Sequence, residues 1–422
     1  MHVEKMLRFL RPHGVTPLRS PCERCRRWRI IGNDLFGLCF VAEAIAVAGP
    51  LLVVRCVMAG NSRVSLPTFM SPSPTRLSRS AHFSLALTFL CCTVATIQES
   101  YGSDVPLFAA PQPTCSGDEI FLLSTREIGA DCNDNALRRK LRCERVSASP
   151  DKGFQWLPAD WRELLADSSE ERPTIIYIHG NRVSPGEDKL QGLRVYHSLL
   201  SAGRPDRPVR FLIWSWPSTP IRRPIKDYKV KADLTRPVAW QLAWFLDQFP
   251  AQADVSLVGY SYGARVASGS MHLLGGGSLG RLKLDHRSHP QQRTIRAAFL
   301  AAAFDANWLQ PGHFHSRMLS QIDHLIVATN SLDPAMRFYH LSNGRGHVDA
   351  LGKAGVAQPR SLGPAVRQIE PLDFTSEVGR SHLLVDYLAA SQKMQQLWRQ
   401  LLATAATGGT PGLPSERLSL AD

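Results

Sequence analysis

At 422 residues, with 44% hydrophobic and 20% charged side chains, the chain is long enough for one large core plus additional segments. The formal net charge of +13 and pI near 9.6 would suit an acidic partner, but Arg24, Arg26, Arg27 and Arg29 crowd in front of an apolar run, where positive flanking charge commonly accompanies a membrane segment. No basic stripe with interleaved aromatic residues crosses the body, which argues against nucleic acid as a partner, and no repeat with a period of about 20–50 residues is present, which argues against a solenoid.

Residues 1–105 read as a targeting or transmembrane region and not as a folded domain. The apolar run 35–57 is long enough to cross a bilayer at about 20 residues per crossing. It is interrupted by Glu43, Pro50 and Arg55, and a central carboxylate costs about 2.5–3.5 kcal/mol on insertion. A second run, 81–97, follows Arg76 and Arg79 and carries small residues at cleavage spacing from Thr93 to Ala95. From Met70 this is the pattern of a secretory signal, so translation starting at Met70 behind an over-extended frame and a pair of membrane segments both fit. Either places the body outside the cytoplasm and allows membrane association through the N-terminal segments, with a cytoplasmic protein as the third option. Of nine cysteines, six lie in this region, and Cys22 and Cys25 lack the second pair a zinc site needs. Cys115, Cys132 and Cys143 permit one disulfide in an exported body.

The body is expected over residues 106–402, with 403–422 a disordered Gly/Pro/Ser/Thr tail. After a linker, 119–125 has strand character, a polar Arg-rich stretch runs to Arg145, 154–157 reads as a short strand and 160–166 as a short helix. Strands and helices then alternate: strands at 174–179, 209–215, 254–259, 297–304, 324–330 and 368–372, and helices at 190–200, 239–249, after Ser261, and 383–402. Near-continuous apolar strands joined by helices call for a mostly parallel central sheet covered by helices on both faces.

The stretch that carries chemistry is Gly259-Tyr260-Ser261-Tyr262-Gly263, placed after an apolar strand and before an apolar helix. In that context G-x-S-x-G is a nucleophile elbow, in which the serine is forced outward at the positive end of the following helix. A serine hydroxyl needs a base to take its proton, an acid to orient that base, and two backbone N–H groups to meet the oxyanion. One of those donors is expected from Tyr262, directly after the serine.

From about Pro173 to Gln400 the chain resembles the α/β-hydrolase superfamily, on His179-Gly180-Asn181 after one strand, on Gly259-x-Ser261-x-Gly263, and on late candidates for an acid and a histidine. The branch it looks closest to is an uncharacterised bacterial one, of esterase- and lipase-like serine hydrolases. The resemblance implies the order serine, acid, histidine, met by Ser261, Asp333 and His382, and places the second oxyanion donor on Asn181. Asp305 competes with Asp333 for the acid, since the superfamily sometimes uses that earlier position. Arg182 would offer a cation to an anionic group, and Trp214, Trp216 and Trp308 are candidates for an acyl pocket. His340 and His347 flank a glycine-rich loop, and His313-x-His315 reads as solvated loop because no carboxylate or cysteine stands at ligand spacing. The long connection from Asp333 to Gln368 suggests a flap, since most loops run about 4–6 residues. The expected activity is hydrolysis of small-molecule or lipid carboxylic esters through an acyl-enzyme, with no metal and no cofactor. A peptidase, thioesterase or acyltransferase would use the same groups, and the rival from another class is a non-catalytic protein of this fold that binds a lipid or protein partner.

Overall fold

The computed structural model describes five strand segments between residues 15 and 69 and, beyond them, residues 117–149, 153–166, 172–203, 207–251, 253–284, 295–337, 339 and 348–403. The chain divides into two units, Met1–Val105 and Pro106–Asp422. In the first, β1 (Val15–Leu18), β2 (Arg26–Asn33), β3 (Cys39–Ala46), β4 (Leu51–Met58) and β5 (Arg63–Phe69) form an antiparallel sheet in chain order. The run expected to span a membrane falls on β3 and β4. Its two charged interruptions become register partners, Glu43 opposite Arg55, and Pro50 lies outside the described residues. No helix among the described residues is long and apolar enough to cross a membrane. The run 81–97, Cys115 and the tail from residue 404 lie outside the described residues.

The second unit is built on a nine-stranded sheet: β6 (Glu119–Ser124), β7 (Arg142–Ser149), β8 (Gly153–Pro158), β9 (Thr174–Ile178), β10 (Arg210–Ser215), β11 (Val255–Tyr260), β12 (Ile295–Leu300), β13 (His324–Thr329) and β14 (Ile369–Asp373). Their order is β14-β13-β12-β11-β9-β10-β6-β7-β8, parallel from β14 to β6 and antiparallel through β7 and β8 at one edge. The central strands are buried along their whole length, as strands covered on both faces must be.

Helices α1 (Asp134–Lys140) and α2 (Trp161–Ala166) precede β7 and follow β8 in the chain, and alternate residues of each strand feed two separate cores. On one face Ile176, Trp214, Leu257 and Phe299 pack with α4 (Pro224–Asp247) and α5 (Tyr262–Leu274), through Leu242, Phe245 and Val266. On the other, Tyr177, Phe211, Val258 and Ile326 pack with α3 (Glu187–Gly203), α6 (Leu384–Ala389) and α7 (Ser391–Leu402), through Val195, Leu199, Leu397 and Leu401. Trp214, Trp216 and Trp398 are fully buried, and truncation of such a ring costs about 3–5 kcal/mol. The three tryptophans expected to line an acyl pocket are core residues: the Trp214 ring packs 5.5 Å from Phe245, the Trp216 ring 5.7 Å from His179 and the Trp308 ring 5.7 Å from Phe304.

Strand order reverses at β9. From it the chain moves to β10 on one side and then returns to β11 on the other. The carboxyl ends of β9 and β11 therefore border a crevice, and they lead into His179-Gly180-Asn181 and Ser261.

Several elements differ from expectation. β7 replaces the Arg-rich stretch, whose alternating polar side chains suit an antiparallel edge with one solvated face. α4 begins at Pro224, well before the expected residue 239, because its first turns are cationic on the exposed side and carry no helical apolar signal. The expected closing helix is two helices, broken at Ala390, whose ψ of 66° is not helical. The connection 348–368 packs down as a helical turn at Leu351–Ala354 and a 3-10 stretch at Pro359–Gln368, with Leu351 buried and its N–H bonded to Phe304 O at 2.7 Å. Cys132 and Cys143 are free thiols, and burial, then neighbouring carboxylates, pushes both up to about 12.

Candidate active site

β11 ends and α5 begins around one residue. Ser261 has φ 53° and ψ −116°, a strained left-handed conformation for a side chain with a Cβ. Two glycines make that turn possible. A Cβ on Gly259 would lie 2.5 Å from Ala264 Cα, and one on Gly263 would lie 2.0 Å from Ile178 O, so helix and strand can meet only where both lack side chains. The turn is pinned from the next strand, with Ser261 N–H donating to Leu300 O at 2.9 Å and Ser261 O accepting from Ala303 N–H at 3.2 Å.

His382 reaches this serine from the loop between β14 and α6. Its Nε2 lies 3.2 Å from Ser261 Oγ, and its Nδ1 lies 2.7 Å from Asp333 Oδ2. A carboxylate only accepts, so Nδ1 carries the proton and Nε2 presents its lone pair to the serine hydroxyl. Asp333 is 1% exposed, and its other oxygen accepts from Ala335 N–H at 2.8 Å and Met336 N–H at 3.1 Å. Asp305, the competing acid, is elsewhere: its Oδ2 accepts from the Trp308 indole at 2.9 Å.

The His179-Gly180-Asn181 loop lies against the serine, since a Cβ on Gly180 would fall 3.3 Å from Ser261 Cβ. His179 is wholly buried. Trp216 N–H donates to its Nε2 at 3.2 Å, which forces the ring proton onto Nδ1, and Nδ1–H donates to Gly180 O at 2.9 Å. In a trans peptide the N–H points opposite the carbonyl, so the bond to Gly180 O aims Asn181 N–H the other way. Burial, with Arg126 acting in the same direction, lowers His179 to about 4 and keeps it neutral. Tyr262 opens α5, so its N–H is among those directed toward the helix N-terminus at Ser261.

No known protein-family profile matches the chain, and no curated protein matches it. Among solved structures, similarity is found to an esterase B from Lactobacillus rhamnosis inhibited by a C6-C4 SN3 compound, at TM-score 0.34 and 12% identity over 76% of this chain and 96% of that one. The same esterase inhibited by a C4-C4 SN3 tributyrin phosphonate gives TM-score 0.30 and 11% identity over 76% and 98%. At those values the likeness is slight, and the chemistry here rests on the side chains themselves.

Four positioning groups escape the motif. Asn330, fully buried, donates through Nδ2 to Gly379 O at 2.8 Å and Ser381 O at 3.2 Å, tying the acid's turn to the loop that carries His382. Tyr260 OH donates to His382 O, and the two rings lie 5.5 Å apart. Asp227, also fully buried, accepts from Asn181 Nδ2 and Arg182 Nη1, each at 3.2 Å, and from Ile221 N–H at 3.1 Å. Arg182 is thus committed to an internal carboxylate, and the expectation that it offers its charge to a substrate gives way to a loop-holding role. Behind that loop, Arg126 donates to Asp188 at 3.1 Å, Ser215 Oγ at 2.8 Å and Val183 O at 3.0 Å. Apart from the bond between Ile221 and Asp227, each pairing joins residues far apart in sequence, and no local spacing announces it.

Among the described residues, other histidines bond elsewhere. His315, expected in solvated loop, is 2% exposed among Phe304, Trp308 and Phe314, with Nδ1 2.8 Å from Ser268 Oγ, and burial holds it well below the ordinary range. Trp308 stacks on Phe304, with the Arg265 guanidinium 4.6 Å over its ring. His340 and His347 lie outside the described residues.

Proposed function

We propose that the chain is a serine hydrolase of carboxylic esters with Ser261 as nucleophile, His382 as base and Asp333 as the acid that orients it. The observation that carries the reading is the continuous line from Asp333 Oδ2 through His382 to Ser261 Oγ, at 2.7 and 3.2 Å, ending on a serine held in a strained turn.

As Ser261 Oγ attacks the ester carbonyl carbon, its proton passes to His382 Nε2 and the carbonyl oxygen becomes an oxyanion. Buried Asp333 stabilises the imidazolium without taking its proton. The backbone N–H groups of Tyr262 and Asn181 receive the oxyanion, a contribution worth about 2.7–4 kcal/mol per donor in a related arrangement. Collapse expels the alcohol, whose oxygen takes the proton from His382 and leaves an acyl group on Ser261. Water then repeats the sequence and frees the acid. Every proton moved has a donor and an acceptor among these groups and water, so the proposed chemistry needs no metal or cofactor.

Steady-state hydrolysis of short p-nitrophenyl esters tests the reading. The wild-type chain should turn them over, and Ser261→Ala should abolish turnover while melting at the same temperature. Turnover that survives Ser261→Ala would place the chemistry elsewhere.

A further inference from the structure

The first turns of α4 carry a feature that hydrolysis leaves unused. Ile221, Ile225 and Val230 are exposed, at 39%, 41% and 42%, and Arg222, Arg223, Lys226 and Lys229 between them are exposed as well. On the helix, residues 225, 226, 229 and 230 share one face, so apolar and cationic side chains alternate across it. The opposite side holds Asp227 and Lys231, both buried and occupied, with Lys231 Nζ donating to Pro217 O at 2.7 Å. None of the four cations forms an ion pair among the described residues.

The helix that carries the stripe also holds the loops of the site. Tyr262 OH donates to Tyr228 O at 3.2 Å, and Asp227 holds Asn181 and Arg182. Leu332, Leu383 and Val385, at 47%, 40% and 41% exposure, stand beside Asp333 and His382 in the chain. A single exposed leucine is ordinary. Here, however, six of the nine large apolar side chains exposed among the described residues belong to the segments that build one site.

We propose that this rim docks on an anionic lipid bilayer, with Ile225 and Val230 entering the headgroup layer and Lys226 and Lys229 meeting its negative charge. Charge complementarity and the alternation favour a lipid surface over an acidic protein. A folded partner would need a separate pocket for each scattered apolar side chain, whereas a headgroup layer accepts them wherever they fall. Docked in this way, the crevice faces the membrane and takes its ester from the lipid side. That second step rests on the hydrolase reading, and the docking itself does not.

Vesicle flotation of the full-length chain carrying Ser261→Ala, which leaves the lipid intact, tests the docking. The vesicles are phosphatidylcholine alone, or mixed with phosphatidylglycerol. Binding should favour the anionic vesicles and weaken with salt. At roughly fivefold per cation, Lys226→Glu/Lys229→Glu should lower affinity at least about 25-fold. Ile225→Ser/Val230→Ser should also weaken binding, and Phe154→Ser/Leu157→Ser, an exposed pair on β8, should not. Each variant's melting temperature is compared with the parent's, and one that melts early is replaced by its single-site form, Lys229→Gln or Ile225→Ser.

No binding to anionic vesicles, or binding untouched by both α4 pairs, overturns the proposal. So does equally tight binding to soluble polyglutamate that needs only the lysines, which would mark an acidic protein site. A chain with native Ser261 that docks without cleaving p-nitrophenyl esters leaves docking standing and removes the hydrolase reading. One that cleaves them without docking does the reverse.

Discussion

The two arms that meet at the crevice are held by different physics. The serine arm is local: a buried strand, two glycines whose Cβ atoms would collide with Ala264 and Ile178, and a helix that starts at once. The acid–histidine arm is assembled at long range. Asp333 and His382 lie 49 residues apart and are brought together by Asn330 bridging to Gly379 and Ser381, and by Tyr260 holding the His382 carbonyl. The serine's position therefore follows from a few neighbouring residues, while the base's position depends on a buried polar network that single substitutions can loosen.

Breaking the long-range arm at its acid should have the largest effect. Asp333→Asn keeps the shape but favours the wrong histidine tautomer, and should lower kcat by about 10⁴-fold, read from p-nitrophenyl ester turnover.

Acid should act next, on the loop behind the serine. His179 sits at about 4 in the fold against about 6.5 unfolded. Between those values the unfolded chain binds the extra proton. The stabilisation is thus complete above about pH 6.5 and is lost as pH falls toward 4, on the order of 3 kcal/mol for this residue. His272 and His315 are lowered by burial as well and act with the same sign. Denaturant midpoints measured from pH 7 to pH 4 should fall, and His179→Asn should flatten part of that slope.

Asn330→Ala should come third. It leaves the carbonyls of half-buried Gly379 and buried Ser381 short of a donor, at about 1–3 kcal/mol for the buried one, and should lower both the melting temperature and kcat. Smallest is Asp305→Asn, whose carboxylate accepts from the Trp308 indole away from Ser261 and His382, and which should leave turnover close to wild type. Equal losses at Asp305 and Asp333 would contradict the assignment of the acid.

The same contrast explains what the sequence discloses. The turn around Ser261 is legible because its requirements fall within five residues, and the alternation of apolar strands with helices is legible because each central strand is buried on both faces. Asp333 and His382 are legible only as types in an expected order, with Asp305 left in contention. Asn330, Asp227 and Arg126 are not legible at all, because their partners lie 49, 46 and 62 residues away and nothing near them marks the pairing. β7 and the start of α4 escape for another reason: polar and cationic side chains on a solvated face mask a strand and a helix whose other side is buried.

The central claim is that Ser261 is an activated nucleophile, and covalent labelling reads it most directly. The chain should react with a fluorophosphonate probe, and peptide mass mapping should find the adduct on Ser261. His382→Ala should nearly abolish the labelling. A folded chain that stays unlabelled, or one labelled on a different serine, would contradict the claim.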